Sequence, residues 1–234
     1  MRLWRTSTLF WAFASALLFT NCSAQTAPPV ANTYTQQLHP NTVYGAGGSI
    51  GFLTLQTGNN NGEVYIQFNL AGIPANASIQ KATLQLYVNQ VLGPGTFDVY
   101  QLNSEWNQST MTYANAPVPG ASATGNQPTT IPAIADQFIL IDVTPLVQDW
   151  VSGNLPNNGL ALAMTTTSGG LLFDSKEATQ TSHMPELNIV LNGLPGPQGP
   201  TGQSGLTGAL GPAGPQGAVG PGFNFRNAFD QTAT

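Results

Sequence analysis

The chain has 234 residues and a formal net charge of −5, and charged residues make up only 6% of it. Ordinary domains carry about 25% charged residues. Scarce cations and an excess of carboxylates argue against binding to nucleic acids or to anionic membrane surfaces. The surface must instead be solvated by Asn, Gln, Ser and Thr, which suits an exported protein that meets neutral polar ligands.

Residues 1–24 have the features of a secretory signal peptide. Arg2 and Arg5 form a charged start, residues 9–19 are an apolar run too short to span a bilayer comfortably, and small residues precede a cleavage point after Ala24. The predicted mature chain then has no cysteine, and hence no disulfides or thiolate metal sites. A retained membrane anchor and lipidation of Cys22 stay open as alternatives.

We assign residues 25–30 to a leader and residues 31–192 to a β-rich domain. Its strands alternate apolar and polar residues, and turn signals separate them, which indicates a sandwich or barrel rather than a βαβ fold. Residues 110–113 are predicted to be a short strand, and residues 114–135 an irregular crossing. The residues expected to point inward are Val64, Ile66, Phe68 and Leu70, then Ala82, Leu84, Leu86 and Val88, then Phe97 and Val99, then Ile139, Ile141 and Val143, and finally Leu187, Ile189 and Leu191.

One short amphipathic helix is predicted after the strand that ends at Val143. Thr144 is expected to cap its N-terminus, Pro145 suits the first helical position, and Gly153 is expected to end it. We expect this helix to close one end of a sandwich. Trp106 and Trp150 are predicted core residues, and the residues assigned to the apolar face of the helix are Leu146, Val147, Trp150 and Val151.

No catalytic motif is found in the sequence. There is no H-E-x-x-H, no G-x-S-x-G and no phosphate-cradling loop, and His39 and His183 have no ligand-like spacing. A carboxylate pair assembled in space stays open as a glycosidase alternative. No cofactor is predicted. A structural calcium ion is possible but not favoured, because the sequence has no EF-hand-like spacing and because Asp142 and Asp149 could instead satisfy backbone donors at the helical turn. The aspartates that could include a calcium ligand are Asp98, Asp142, Asp149 and Asp174.

The outward positions of the predicted strands suggest a sugar-binding surface. Tyrosine rings stack on the apolar faces of pyranoses, while amides and carboxylates bond hydroxyl groups. The alternative is that these tyrosines pack under a loop or in a second core layer. The candidate carbohydrate-binding residues are Tyr65, Gln67, Gln85, Tyr87, Asp98 and Tyr100.

Glycine recurs at every third position from Gly193 to Gly220, with proline in many of the intervening positions. This is the collagen repeat, in which three chains wind around an axis that accommodates only glycine. We therefore predict a collagen-like segment at residues 193–222 that forms a homotrimer, with a flexible linker as the alternative. Residues 223–234 are aromatic again and are assigned to a C-terminal tail, which could begin a truncated module.

Five stretches match one known family in chain order. The sequence resembles the DNRLRE-type, disaggregatase-related domain of bacterial and archaeal surface proteins over about residues 31–191. The stretches that carry the resemblance are ANTY with NTVYG, FNLAGIPANASIQKATLQLYV, VYQLNSEWNQSTMTYANAP, DVTPLVQDWVSG with NNGLAL, and FDSKEATQTSHMPELNIV.

The resemblance implies a jelly-roll β-sandwich that is extracellular and non-catalytic. Some relatives are carbohydrate-binding modules, including modules for alginate, but an anionic ligand needs basic residues, and only Lys81 and Lys176 lie in this domain. The resemblance also implies a structural ion pair between Lys176 and Glu177. Asn32 stands where relatives commonly carry aspartate, so a metal role at that position does not transfer.

The sequence as a whole predicts an all-β, exported, trimeric protein that displays a jelly-roll head on a collagen-like stalk. The expected partner is a polysaccharide or cell-surface glycan, with no nucleic acid and no membrane span after processing. The expected function is non-catalytic carbohydrate binding or adhesion. The alternatives are a purely structural surface appendage or matrix protein without a specific glycan ligand, and a hydrolase with an unrecognised site.

Overall fold

The computed structural model describes residues 23–45, 50–179, 181 and 183–193. These residues form twelve strands and one helix. In chain order the elements are β1 Ser23–Ala27, β2 Pro29–Tyr34, β3 Phe52–Thr57, β4 Val64–Phe68, β5 Ile79–Gly93, β6 Thr96–Leu102, β7 Pro119–Ser122, β8 Thr129–Thr130, β9 Gln137–Asp142, α1 Thr144–Val151, β10 Leu160–Met164, β11 Gly169–Asp174 and β12 Glu186–Leu191.

The strands form two antiparallel sheets, sheet A and sheet B. Sheet A has the order β1-β12-β5-β11-β3, and β9 pairs with the second edge of β5. Sheet B has the order β2-β4-β10-β6-β7, and β8 also pairs with β6. Strand β5 has 15 residues, so it pairs with β12 along its first half and with β11 along its second. The predicted all-β sandwich class is therefore confirmed.

The inward sides of the two sheets share one apolar core. The alternating residues predicted to point inward belong to it, although Leu70 is only partly buried. Each Val, Leu, Ile or Phe side chain among them contributes about 1.5–3 kcal/mol when it is fully buried. Further core residues, which the sequence analysis did not assign, are Leu53 and Leu55 of β3, Leu160 and Leu162 of β10, and Leu171 and Phe173 of β11.

Helix α1 lies where the sequence predicts it, but its N-terminus differs in detail. Leu146, Val147 and Trp150 are buried, as predicted. The N-cap residue is Val143, not Thr144, and no side chain caps the helix. The Thr144 hydroxyl instead accepts a hydrogen bond from the backbone N–H of Ala82 on β5 at 2.9 Å, which ties the helix to sheet A.

The first residues of the domain also differ from the prediction. Residues 25–30, which were assigned to a leader, lie mostly in strands β1 and β2. Strand β1 begins at Ser23 and pairs with β12 from Ser23↔Leu191 to Ala27↔Leu187. The side chain of Ala27 is buried in the core. The pairing with β12 therefore makes this segment part of sheet A.

Residues 110–113 do not form the predicted strand. The backbone N–H groups of Thr110 and Met111 both donate to the carbonyl of Asn107, and the Asn115 side chain accepts from Thr112 N–H at 2.7 Å. These local bonds fold the segment into turns, which compete with strand pairing. The crossing at residues 114–135 is mostly irregular, as predicted, with the short strands β7 and β8 inside it.

Several predictions fall on residues outside the described ranges. They are the charged start and apolar run of the signal peptide, the collagen-like segment after Gly193, and the tail at residues 223–234. Within the described residues, no helix has both the length and the apolar character needed to span a bilayer.

Candidate functional site

The six candidate carbohydrate-binding residues lie on opposite outer faces of the sandwich. Tyr65 and Gln67 are on β4, and Asp98 and Tyr100 are on β6, which are both strands of sheet B. Gln85 and Tyr87 are on β5 of sheet A. Because β4 and β5 belong to different sheets, their outward side chains face opposite directions. The structure therefore brings together four of the six on one face and the other two on the other.

Tyr65 is fully buried and packs under a loop. It belongs to a small buried cluster with Leu102, Met111 and Ala161, and its ring centroid lies 6.0 Å from that of Trp106. Its hydroxyl bonds the Glu63 carboxylate and the Pro117 carbonyl. The alternative weighed for the tyrosines, burial under a loop, is what the structure shows for this residue. Trp106 was predicted to be a core residue, and this prediction is confirmed only in part. Its indole is half-buried and packs against the small cluster around Tyr65, not in the main core.

Asp98 and Gln67 hold neighbouring segments of sheet B together. Asp98 is 2% exposed and accepts hydrogen bonds from Ser122 Oγ at 2.8 Å and Thr124 Oγ1 at 2.5 Å. Gln67 donates to the Asn157 carbonyl at 2.8 Å. These polar groups are engaged within the fold.

The Tyr100 side chain is half-buried on this outer face, and its pKa is raised by burial and by the charges of Asp98 and Glu63.

Three aromatic rings form a partly exposed cluster on the outer face of sheet A, which we call the aromatic surface. It consists of Tyr87, Phe138 and His183. The His183 ring stacks on the Tyr87 ring with centroids 4.0 Å apart, and Phe138 meets both rings edge-on at 5.1 Å and 5.5 Å. The Phe138 residue is 45% exposed and the His183 side chain 38%. An aromatic surface with this exposure is accessible to a ligand.

Strand register positions two of these rings, and contacts with those two rings position the third. Tyr87 and Phe138 are opposite each other in the pairing of β5 with β9. Asp174, at the end of β11, is fully buried, accepts from Asn89 Nδ2 at 3.1 Å and bonds the Thr181 hydroxyl. His183 Nδ1 lies 3.6 Å from the same carboxylate. Asp174 therefore anchors residue 181 over the sheet, whereas His183 Nδ1 is buried without a hydrogen-bond partner among the described residues and its ring is placed by contacts with Tyr87 and Phe138.

The sequence analysis predicted Tyr87 and Gln85 as candidate binding residues but did not include Phe138 and His183, whose rings contact Tyr87. One signal was available: Phe138 and Leu140 are apolar residues at the outward positions of β9, where a half-exposed strand normally carries polar side chains. His183 had no such signal, because it lies outside the strands and its position depends on ring contacts with Tyr87 on β5 and Phe138 on β9.

The surroundings of the aromatic surface are acidic. The Tyr87 hydroxyl lies 3.5 Å from Asp136 Oδ1, and partial burial together with the charges of Asp136 and Asp174 raises the pKa of Tyr87. Glu186 is opposite Gln85 in the pairing of β12 with β5. Lys176 forms an ion pair with Glu177, as the family resemblance implied. This charge distribution repels anionic ligands and tolerates neutral ones.

The four aspartates considered for calcium each have protein partners. Asp142 Oδ1 accepts from the Thr144 backbone N–H at 2.9 Å and from its hydroxyl at 2.6 Å. Desolvation acts to raise the pKa of Asp142, but these bonds and Lys81 outweigh it, so the pKa is lowered. Asp149 accepts from Asn154 Nδ2 at 3.1 Å. Within the described residues, no three His, Cys, Asp or Glu side chains converge in a way that could hold a metal.

Comparison with known proteins gives one family match. A search of curated proteins finds no match. The family model for carbohydrate-binding module family 96 matches residues 23–190. The match starts at the first residue of β1 and ends within β12, so it covers the whole sandwich. Modules of this kind are typically non-catalytic. The chain therefore belongs to carbohydrate-binding module family 96.

Proposed function

We propose that the sandwich docks on neutral glycans through the aromatic surface on the outer face of sheet A. The single observation that carries this proposal is the partly exposed cluster of Tyr87, Phe138 and His183. Aromatic rings held in register by the sheet lose little conformational freedom on binding, so they suit a ligand that offers flat apolar faces. Gln85, beside the cluster on β5, supplies an amide for ligand hydroxyls.

The proposed ligand is neutral rather than a polyanion such as alginate. Asp136, Asp174 and Glu186 border the aromatic surface, and Lys176 is already paired with Glu177. Lys81 lies six residues before Tyr87 on β5, which places it roughly 20 Å away at about 3.4 Å per residue. A uronic-acid polymer would therefore meet repulsion that salt screens only in part.

The strand order supports the finer description of the fold as a jelly roll. Eight strands remain when β2, β3, β8 and β11 are left out, and they can be counted from first to eighth in chain order. Sheet A then has the order β1-β12-β5-β9, which is first, eighth, third and sixth. Sheet B has the order β4-β10-β6-β7, which is second, seventh, fourth and fifth. That is the order of two interlocked Greek keys. Together with the sequence motifs, it favours a DNRLRE-type domain.

The complete protein is proposed to be exported and to display three such heads on a collagen-like stalk. The support is the sequence alone: the signal-like residues 1–24 and the glycine phasing of residues 193–222. Three linked heads would turn weak individual contacts into firm attachment to a polymer or a cell surface. Sedimentation of the mature chain with and without residues 193–222 tests this arrangement, and a monomer in both cases would overturn it.

A glycan array tests the proposed function. The trimeric chain is expected to bind one or more neutral polysaccharides saturably and to leave alginate unbound at low salt. A blank array would favour the alternative of a purely structural appendage. Turnover of any polysaccharide by the purified head would favour a hydrolase instead.

A further inference from the structure

A groove of about 600 Å³ lies beside the C-terminal half of strand β9, where Leu140, Ile141 and Asp142 line it. Strand β9 pairs only with β5 among the described strands, so its other edge faces this groove. The volume lies within the range of about 300–1,000 Å³ that is usual for ligand sites. The residues that line the groove and matter here are Thr124, Gln127, Thr129, Leu140 and Asp142.

The groove is continuous with the aromatic surface through Leu140. Leu140 lines the groove and is also the next outward residue after Phe138 on β9. Leu140 is 64% exposed, so most of its side chain is open to a ligand. Successive outward residues of a strand lie about 7 Å apart, so Phe138 to Asp142 spans about 14 Å. The two features therefore form one track that is longer than one or two sugar rings.

The lining of the groove suits the same class of ligand as the aromatic surface. Gln127 is exposed and Thr129 half-exposed, and their side chains offer an amide and a hydroxyl. None of the described lining residues is a lysine or an arginine. The Asp142 carboxylate is already engaged with Thr144. Hydroxyl and amide groups beside an exposed leucine match a neutral sugar chain.

We infer that this groove is a second subsite, and that the module binds an internal stretch of a neutral glycan chain rather than a single sugar or a chain end. The inference rests on the proposed function and adds the length of the ligand to it. A second copy of this chain paired along β9 is the competing occupant. The described part of the chain has two lysines and nine carboxylates, so two copies repel each other, whereas a neutral chain does not.

Titration of the full chain with short and long probes tests the inference. The probes are the disaccharides and hexasaccharides of β-1,4-linked glucose, mannose and xylose. The hexasaccharide that binds is expected to bind at least tenfold more tightly than its disaccharide. Gln127→Ala and Leu140→Ser should each weaken hexasaccharide binding about fivefold, the effect of losing one or two modest contacts, and leave disaccharide binding unchanged. Gln37→Ala, an exposed glutamine on the loop after β2, is the matched control.

The outcomes separate this inference from the proposed function. One outcome would overturn the second subsite and leave the aromatic surface in place. In that outcome the disaccharide and the hexasaccharide bind with equal affinity, Tyr87→Ala abolishes binding, and Gln127→Ala and Leu140→Ser do not affect it. Failure of all probes and all neutral polysaccharides would overturn both. Self-association of the chain that Leu140→Ser abolishes would assign the groove to an interface between copies.

Discussion

Tyr87 and Phe138 are direct cross-strand neighbours on β5 and β9, and their ring centroids lie 5.1 Å apart at an interplanar angle of 68°. An edge-to-face pair of this kind contributes about 0.5–1.5 kcal/mol beyond its burial. The register of β5 with β9 therefore fixes both rings before any ligand arrives. His183 extends the pair, because it stacks on Tyr87 from the segment that precedes β12.

Replacing His183 tests the third ring of the aromatic surface. His183→Ala removes the stack on Tyr87 and uncovers the Asp174 carboxylate. Glycan binding is expected to weaken about threefold to tenfold, because one of the three rings of the aromatic surface is lost. His39→Ala, at an exposed histidine on the loop after β2, is the control and should leave affinity unchanged. Equal affinities for wild type and His183→Ala would remove His183 from the site.

Glu63 gives the head a specific pH dependence. Burial raises its pKa, and the hydrogen bond from Tyr65 acts in the opposite direction. Above the ordinary carboxyl pKa the unfolded chain releases this proton while the folded protein still holds it. The folded state then binds more protons, so the contribution of Glu63 to the free energy of unfolding falls as pH rises through this window.

Glu63→Gln should remove that contribution and keep an oxygen acceptor for the Tyr65 hydroxyl. The variant's advantage in free energy of unfolding over wild type is expected to grow from pH 4 to pH 7, measured by urea titration at each pH. Glu105→Gln, on the exposed part of the loop after β6, serves as the control. A constant difference across this range would show that the Glu63 carboxyl is not perturbed by folding.

The Asn32 side chain uses both its donor and its acceptor in hydrogen bonds to neighbouring residues. Its Nδ2 donates to Glu177 Oε2 at 2.7 Å, and its Oδ1 accepts from the Lys176 backbone N–H at 2.7 Å. Asn32→Asp would lose the donor and place a buried negative charge beside Glu177, at a cost of about 2–3 kcal/mol. Urea unfolding at pH 7 should show this loss, and the loss should shrink at pH 4 as carboxyls protonate. Asn103→Asp, on an exposed turn, should cost little; an equally small cost at Asn32 would contradict the account.

Gly153 ends helix α1 in a left-handed conformation with φ of 73°. A Cβ atom there would meet nothing within 4 Å, so any cost of Gly153→Ala comes from the backbone alone. We expect a loss of about 1–2 kcal/mol. Gly72→Ala is matched, because its added Cβ also meets open space but its φ is not positive. A shift in the urea midpoint for Gly72→Ala as large as that for Gly153→Ala would exclude this explanation.

The core was predictable because burial on one side of a strand imposes a period of two on the sequence. The alternation at Val64, Ile66 and Phe68 shows which side chains point inward whatever the partner strands are. It does not show which sheet a strand joins. For that reason Tyr65 and Tyr87 were placed in one candidate site, although β4 and β5 lie in different sheets.

Details that depend on long-range partners were not predictable in the same way. Thr144 has the residue type of a helix cap, yet its hydroxyl bonds Ala82, which is 62 positions away. Residues 25–30 have no strong strand pattern. Residues 25–27 nevertheless belong to sheet A, because they pair with β12, the last strand of the domain. The alternation at Ile139, Ile141 and Val143 predicted the strand that contains Phe138, but only the pairing with β5 places Phe138 beside Tyr87.

The most direct test of the glycan-binding account compares two tyrosines on opposite faces. Tyr87 and Tyr100 are both half-buried on outer faces, one on sheet A and one on sheet B. Isothermal titration with the neutral polysaccharide that the array selects should show at least a tenfold loss of affinity for Tyr87→Ala and less than a twofold change for Tyr100→Ala. The opposite result, with binding lost at Tyr100 and retained at Tyr87, would contradict the assignment of the site to sheet A.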